Sequence, residues 1–185
     1  IFTGAKTISL KGNVDFDPDS STWYLNNNGK KDVYIRKLNS SGNLVWAKSF
    51  GGPSDDQGLF AKSDNFGNVF VCGIVKDTVD FDPGPAVYEL IVPPHQIQSS
   101  YIAKYDPSGN FIWAKLLNEH QIGNYSDYFV ADMDVDGSGN IYLTGWFRDT
   151  VDFDPGPGIH YLISSEYRDA FVMKINNSGI LEWAF

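Results

Sequence analysis

Cysteine is all but missing from this sequence: Cys72 stands alone among 185 residues. An intrachain disulfide is thereby excluded, and so is any zinc site built from several thiolates. Basic residues are also scarce, 14 against 23 acids, for a formal charge of -9. A surface of that sign repels phosphate, which argues against nucleic acid and anionic membranes and fits cations, glycans or plain solubility. No apolar stretch approaches the roughly 20 residues that a membrane-crossing helix needs, so no membrane insertion is expected. Apolar spacing of 3.6 residues is never sustained long enough for a helix. The histidines, His95, His120 and His160, share no metal-ligand spacing, and no Gly-x-Ser-x-Gly elbow, His-Glu-x-x-His pair or phosphate-binding loop is present. Acids are plentiful, yet nothing selects one pair for glycoside cleavage. No catalytic or cofactor-binding residue is assigned, and the chain is expected not to be an enzyme.

What is plentiful is aromatic and turn-forming: 13 Phe, 10 Tyr and 5 Trp with 18 Gly and 9 Pro. That is the profile of a turn-rich β protein. Cys72 lies in the apolar run Val69-Phe70-Val71-Cys72 and reads as a buried small hydrophobe.

The chain repeats itself. Val14-Asp15-Phe16-Asp17-Pro18 returns as Val79-Asp80-Phe81-Asp82-Pro83 and Val151-Asp152-Phe153-Asp154-Pro155, the Phe residues lying 65 and 72 positions apart. Trp46-Ala47-Lys48, Trp113-Ala114-Lys115 and Trp183-Ala184 keep step, at 67 and 70. Each full period also carries two tight-turn signals: Asn39 to Asn43, echoed at Asp106 to Asn110 and Asn176 to Gly179, and Asp64 to Asn68, echoed at Asp136 to Asn140. In such loops Asp or Asn bonds the backbone ahead and Gly supplies the positive φ. Strand-like runs flank every turn, so each period holds four antiparallel strands, the content of one propeller blade.

The pattern Asp-x-x-Gly-Asn, an apolar strand ending in Gly, then Thr-Val-Asp-Phe-Asp-Pro-Gly-Pro resembles the SBBP-type β-propeller repeats. Gly139 to Gly145, Thr150 to Gly158 and Asp169 to Trp183 carry the resemblance, and Gly67 to Gly73, Thr78 to Pro85 and Tyr101 to Trp113 repeat it. The resemblance implies a secreted or bacterial cell-surface protein, of a kind found in Bacteroidetes, and no common activity. The strand order also resembles NHL-type blades, in which the strand before the Asp-x-x-Gly-Asn turn lies innermost. On that frame one blade runs Leu59 to Ser63 (a), Val69 to Val75 (b), Tyr101 to Tyr105 (c) and Phe111 to Leu116 (d). The next uses Phe129 to Val135, Ile141 to Phe147, Ala170 to Ile175 and Leu181 to Phe185. The first has b at Ile1 to Thr3, c at Val33 to Leu38 and d at Val45 to Phe50, and lacks its innermost strand. The expected fold is all-β: tandem four-stranded antiparallel blades, about three of them with the first incomplete, at residues 1–56, 57–127 and 128–185. Such an array does not close a ring alone. It is expected to be a fragment of a larger β-propeller, closed by further blades of the same polypeptide or by other copies.

The frame puts the short a–b and c–d turns on one face and the long b–c and d–a connections on the other. The long-loop face holds the Asp-Phe-Asp-Pro motifs, Gly51 to Asp56 and Asn118 to Asp127. Carboxylates at i and i+2 of an extended chain point the same way, so Asp15 with Asp17, Asp80 with Asp82 and Asp152 with Asp154 are candidate Ca²⁺ ligands. The competing reading has Phe16, Phe81 and Phe153 filling gaps between blades while the Asp residues cap turn N–H groups. Asp132, Asp134 and Asp136 match the opening of a calcium loop but lack its closing Glu, Leu143 standing there. Trp46, Trp113 and Trp183 read as packing between adjacent blades. Trp23, Tyr24, Tyr125, Tyr128 and Trp146, which do not repeat, are the aromatics for ligand contact. Asp77-Thr78-Val79 and Asp149-Thr150-Val151 resemble Bacteroidetes O-glycosylation acceptors, which implies Thr78 and Thr150 as modified residues. The function expected is a non-catalytic extracellular or cell-surface module binding a glycan, protein or matrix partner through its long-loop face. A calcium-stabilised structural repeat domain and an accessory domain of a secreted hydrolase are the alternatives.

Overall fold

A computed structural model of the chain describes residues 2–8, 15–17, 22–25, 28–117, 121–122, 128–165 and 167–185, with the backbone alone at 2–8 and 121–122. All regular structure among the described residues is β. The first sheet is β1 (Phe2–Ile8), β2 (Asp32–Leu38) and β3 (Leu44–Phe50), in that order and antiparallel. β4 (Gln57–Ser63) and β5 (Val69–Val75) open the second sheet. A small hairpin of β6 (Thr78–Asp80) and β7 (Glu89–Ile91) follows, and β8 (Ser99–Tyr105) and β9 (Phe111–Leu116) complete the order β4-β5-β8-β9. The third sheet repeats this plan. After β10 (Gln121–Ile122) come β11 (Tyr128–Val135) and β12 (Ile141–Phe147), a hairpin of β13 (Thr150–Asp152) and β14 (Tyr161–Ile163), then β15 (Asp169–Ile175) and β16 (Leu181–Ala184), ordered β11-β12-β15-β16.

The four-stranded antiparallel sheets are those the repeat predicts. The b–c connections differ: they are hairpins rather than open loops, and β10 adds a strand to the second of them. β1 also runs further than the three residues read from sequence, because it pairs with the whole length of β2, Phe2 opposite Leu38 and Ile8 opposite Asp32. Val14, Pro18, Tyr125 and most of the stretch from Asn118 to Asp127 lie outside the described residues.

The short turns are built alike. Oδ1 of Asn39, Asp64, Asp106, Asp136 and Asn176 accepts the N–H groups two and four residues ahead. The third residue onward is in every case a glycine at positive φ, from 79° to 88°. Hydrogen bonds from the side chain and backbone of Asn140 hold the Asp136 carboxyl below its ordinary range.

Burial alternates along the strands, and its pattern across the molecule shows how the sheets stack. β2 buries Val33, Ile35 and Lys37 and leaves Tyr34, Arg36 and Leu38 half-buried; β8 is buried on both faces; β15 buries Phe171, Met173 and Ile175 and exposes Ala170 and Val172. The second sheet is thus sandwiched, its neighbours each covering one face. One apolar cluster joins Val33, Ile35, Trp46 and Phe50 to Val69, Tyr101, Ala103 and Tyr105; another joins Phe70, Cys72 and Ile102 to Leu143, Phe171, Met173 and Ile175. The closest backbone approaches between sheets all involve β4 or β11, the a strands, as expected where wedge-shaped sheets converge. Full burial of each such side chain stabilises by about 1.5–3 kcal/mol.

Within the second and third sheets, the pairing of the first two strands demands glycine at a repeated place. A Cβ on Gly73 would lie 1.9 Å from the Gln57 carbonyl oxygen, and one on Gly145 equally close to that of Phe129. Both face a β-bulge, between Gly58 and Phe60 and between Val130 and Asp132. Gly145→Ala is therefore expected to destabilise the fold by about 1–3 kcal/mol in chemical denaturation, through overpacking that the backbone cannot relieve. An unchanged midpoint would contradict the close approach.

The connection from β3 to β4 is held by buried acids. Asp56 accepts the N–H of Gly52 (2.7 Å) and of Lys76 (3.1 Å), and Asp32 accepts that of Asn28 (2.7 Å). Both carboxylates are buried, and Oδ1 of Asp32 has no hydrogen-bond partner. Burial, opposed by its two backbone donors, pushes Asp56 up to about 6, and burial raises Asp32 as well. A carboxyl that keeps its proton to higher pH folded than unfolded stabilises below its unfolded pKa and loses that contribution as pH rises through the folded value. The melting temperature is accordingly expected to fall between about pH 4 and pH 6, and Asp56→Asn to flatten that slope. A melting temperature that instead climbs steadily across the window, identically in both proteins, would refute the assignment.

Candidate functional site

The Asp-Phe-Asp-Pro motifs sit where β6 and β13 turn into their hairpins, and all copies use the first Asp in one way. Oδ1 of Asp15 accepts the N–H of Asp17 (3.0 Å) and of Trp23 (2.8 Å). Asp80 takes those of Asp82 (3.0 Å) and Tyr88 (2.9 Å), and Asp152 those of Asp154 (3.1 Å) and His160 (2.8 Å). Each carboxylate thus closes its own turn and staples it to the returning strand. The second Asp repeats the device locally: Asp82 and Asp154 accept the N–H of Gly84 and Gly156, both at 2.7 Å. Between the acids, Phe16, Phe81 and Phe153 are buried. Phe81 lies 5.2 Å from both Phe50 and Tyr101, and Phe153 lies 5.0–5.4 Å from Tyr128, Phe147 and Phe171. Tyr105 donates its hydroxyl to the Phe81 carbonyl at 3.0 Å.

Stapled this way, the second and third motifs stand against the outer strand of the preceding sheet, and each leaves a groove. The larger, about 450 Å³, lies between the first and second sheets. It is lined by Ala47, Lys48 and Ser49 of β3, by Trp23, Tyr24 and Leu25, and by Asp80, Asp82, Pro83 and Gly84 of the second motif. Trp23 and Tyr24 are 41% and 54% exposed, so aromatic surface is on offer rather than packed away. A second groove of about 340 Å³ occupies the equivalent place between the second and third sheets, lined by Tyr88, Leu90, Ala114, Lys115, Pro155 and Gly156. Trp23, Tyr88 and His160 correspond, as do Lys48 and Lys115. In the third copy His160 instead donates from Nε2 to the Ala184 carbonyl at 3.0 Å. Sequence reasoning did not single out the lysines; their signal was the recurring Trp-Ala-Lys. It placed Trp23 and Tyr24 among the contact aromatics, but not together with Asp80 and Asp82.

The remaining predicted residues scatter. Asp132 is exposed, with Oδ1 accepting the N–H of Met133; Asp134 pairs with Lys62 at 3.3 Å; Asp136 belongs to its turn. Among the described residues no three His, Cys, Asp or Glu side chains come together as a metal site. Tyr128 is core, stacked on Phe171 at 4.9 Å, and so is withdrawn as a contact aromatic. Trp146 is sandwiched between Phe129, at 5.6 Å, and the Arg168 guanidinium, at 3.7 Å. Thr78 and Thr150 open β6 and β13, each half-buried and each preceded by an Asp in left-handed conformation, Asp77 at φ 57° and Asp149 at φ 61°. The Asp-Thr pair therefore makes the corner from sheet to hairpin.

Residues 112–146 match the family model described as SBBP, a β-propeller repeat. They run from β9 into β12, across the second groove's lysine and the junction of the second and third sheets. The chain is also similar to the "Uncharacterized WD repeat-containing protein L264" of Acanthamoeba polyphaga mimivirus, 26% identical over 165 residues that take in 76% of this chain. It spans only 11% of that relative's length. Antiparallel four-stranded sheets and a repeat of sheet, hairpin and motif are those of β-propeller blades, and residues 112–146, at the junction of the second and third sheets, match the SBBP β-propeller repeat.

Proposed function

We propose that this propeller, an interaction or scaffold domain, serves outside the cell or on its surface and binds a carbohydrate chain in the groove between its first and second sheets. The observation that carries the reading is the meeting of two exposed aromatics, Trp23 and Tyr24, with two carboxylates and a lysine, Asp80, Asp82 and Lys48, around about 450 Å³. Sugars present C–H faces that lie on aromatic rings and hydroxyls that bond charged side chains, and such a lining offers both. The carboxylates already hold backbone N–H groups, so they are fixed in place before any ligand arrives. The second groove, with Tyr88 and Lys115, supplies a repeated subsite along the same rim. Binding at two such places strengthens the grip on a polymer through effective concentration. The role is non-catalytic: Asp80 and Asp82 serve the backbone of their own turn.

A glycan array followed by titration calorimetry tests this, in calcium and in chelator. Neutral or basic oligosaccharides are expected to bind, and Trp23→Ala, a change at an exposed residue, to weaken binding at least about tenfold. Affinity indifferent to Trp23→Ala and Asp82→Asn, or an array with no hits, would sink the proposal. Binding or thermal stability that depends on calcium would make the motif acids metal ligands.

A further inference from the structure

The sheets dock by one rule that the chain uses twice. Lys37 of β2 donates its ammonium to the carbonyls of Pro107 (2.9 Å) and Gly67 (3.4 Å), and Trp46 of β3 donates Nε1 to the same Pro107 oxygen at 3.0 Å. One repeat later Lys104 reaches the Asn177 carbonyl (3.3 Å) and its side chain, and Trp113 donates to that carbonyl at 3.2 Å. In both junctions the indole lies over the turn glycine: a Cβ on Gly109 would come within 3.0 Å of Trp46, and one on Gly179 within 3.4 Å of Trp113. A lysine and a tryptophan of one sheet thus clasp the c–d turn of the next.

The third sheet carries the same donors, Lys174 and Trp183, on a face with nothing against it among the described residues. Val172 is 40% exposed, whereas Ile35 and Ile102, also four residues before their turn Asx, are fully buried. Lys174 pairs with Glu182 at 2.7 Å and Trp183 stacks on Phe185 at 5.0 Å. The matching acceptor is open on the first sheet: the Asn39 to Asn43 turn has the same Asx cap, and a Cβ on Gly42 would meet nothing within 4 Å. Charge adds a register. Arg36 sits where the third sheet has Met173, and Asp132 where the second has Phe60, each being the strand residue opposite the one before Gly145 or Gly73. Met173 and Phe60 belong to a single apolar cluster at the junction of the second and third sheets. A copy of the first sheet laid on the third therefore brings Arg36 to Asp132.

We propose that two copies of this chain associate head to tail, the third sheet of each docking on the first sheet of the other. Trp183 and Lys174 donate to the partner's Ser40 carbonyl, and Asp132 pairs with the partner's Arg36. Each copy supplies three large sheets, so two such junctions set six around one axis, within the roughly four to eight of closed propellers. The exchange trades the half-buried Lys174–Glu182 pair for hydrogen bonds to the partner's turn carbonyl, while Val172 and the indole leave water.

Sedimentation velocity of the 185-residue chain over about 1–200 µM tests it. One chain mass at low concentration should pass to two at high. Arg36→Glu and Asp132→Arg, both outside the core, should each weaken association at least about tenfold, and together restore it to within about threefold. A monomer throughout overturns the proposal and leaves the face to some other blade. So does association that ignores both substitutions, or that the double variant fails to rescue.

Discussion

A strand with apolar side chains on both faces must be covered twice. β8, buried along its whole length, and β5, buried at every residue but the half-buried Ile74, are in that position, and the stacking of the sheets follows from it. The second sheet can exist only between two others, which is why the repeat forms a stack rather than separate units. Apolar packing alone would let flat sheets slide. The Lys37–Trp46 and Lys104–Trp113 clasps remove that freedom, because two donors from one sheet must meet a single turn carbonyl of the next, and each bond weakens steeply when its N–H points away.

The abundance of aspartate takes its meaning from the same geometry. Propeller blades need many corners, and each corner leaves backbone N–H groups without strand partners. Asp64, Asp106 and Asp136 meet that need at the short turns, and Asp15, Asp80 and Asp152 meet it at the hairpins. Asp56 shows where the arrangement is costly: its donors sit in a buried connection, and the carboxyl holds its proton more tightly as a result. A chain so rich in acids thus spends many of them on its own backbone, and the carboxylates that line the groove are rigid because they serve both purposes.

The groove itself is a by-product of the junctions. The staple that closes each hairpin fixes the motif against the outer strand of the preceding sheet, and the space left between them recurs with the repeat. What differs from copy to copy is the residue at the staple's far end: Trp23, Tyr88, then His160. Repetition supplies the scaffold, and variation at one position sets what each groove can hold.

The sequence by itself determined the number and pairing of the large strands, because turn chemistry and burial alternation are local and recur in register: Asx, a residue or two, Gly, then an apolar run. For Phe16, Phe81 and Phe153 it offered core packing as one of two readings of their motif, since a motif repeated at blade spacing answers a packing problem common to all blades, and their burial is seen in the folded molecule. Three things were decided only in the folded molecule. The b–c connections became hairpins because Asp80 and Asp152 reach residues eight positions on, a pairing that no periodicity announces. Tyr128 went inside and Trp23 stayed out, although neither belongs to a recurring aromatic motif, because Phe153, Phe171 and Met173, tens of residues on, close over the one, while the other is left at the edge of a groove. The groove joins Trp23 and Lys48 to Asp82 across a sheet junction, and contacts between repeats depend on how sheets stack, which local pattern does not encode.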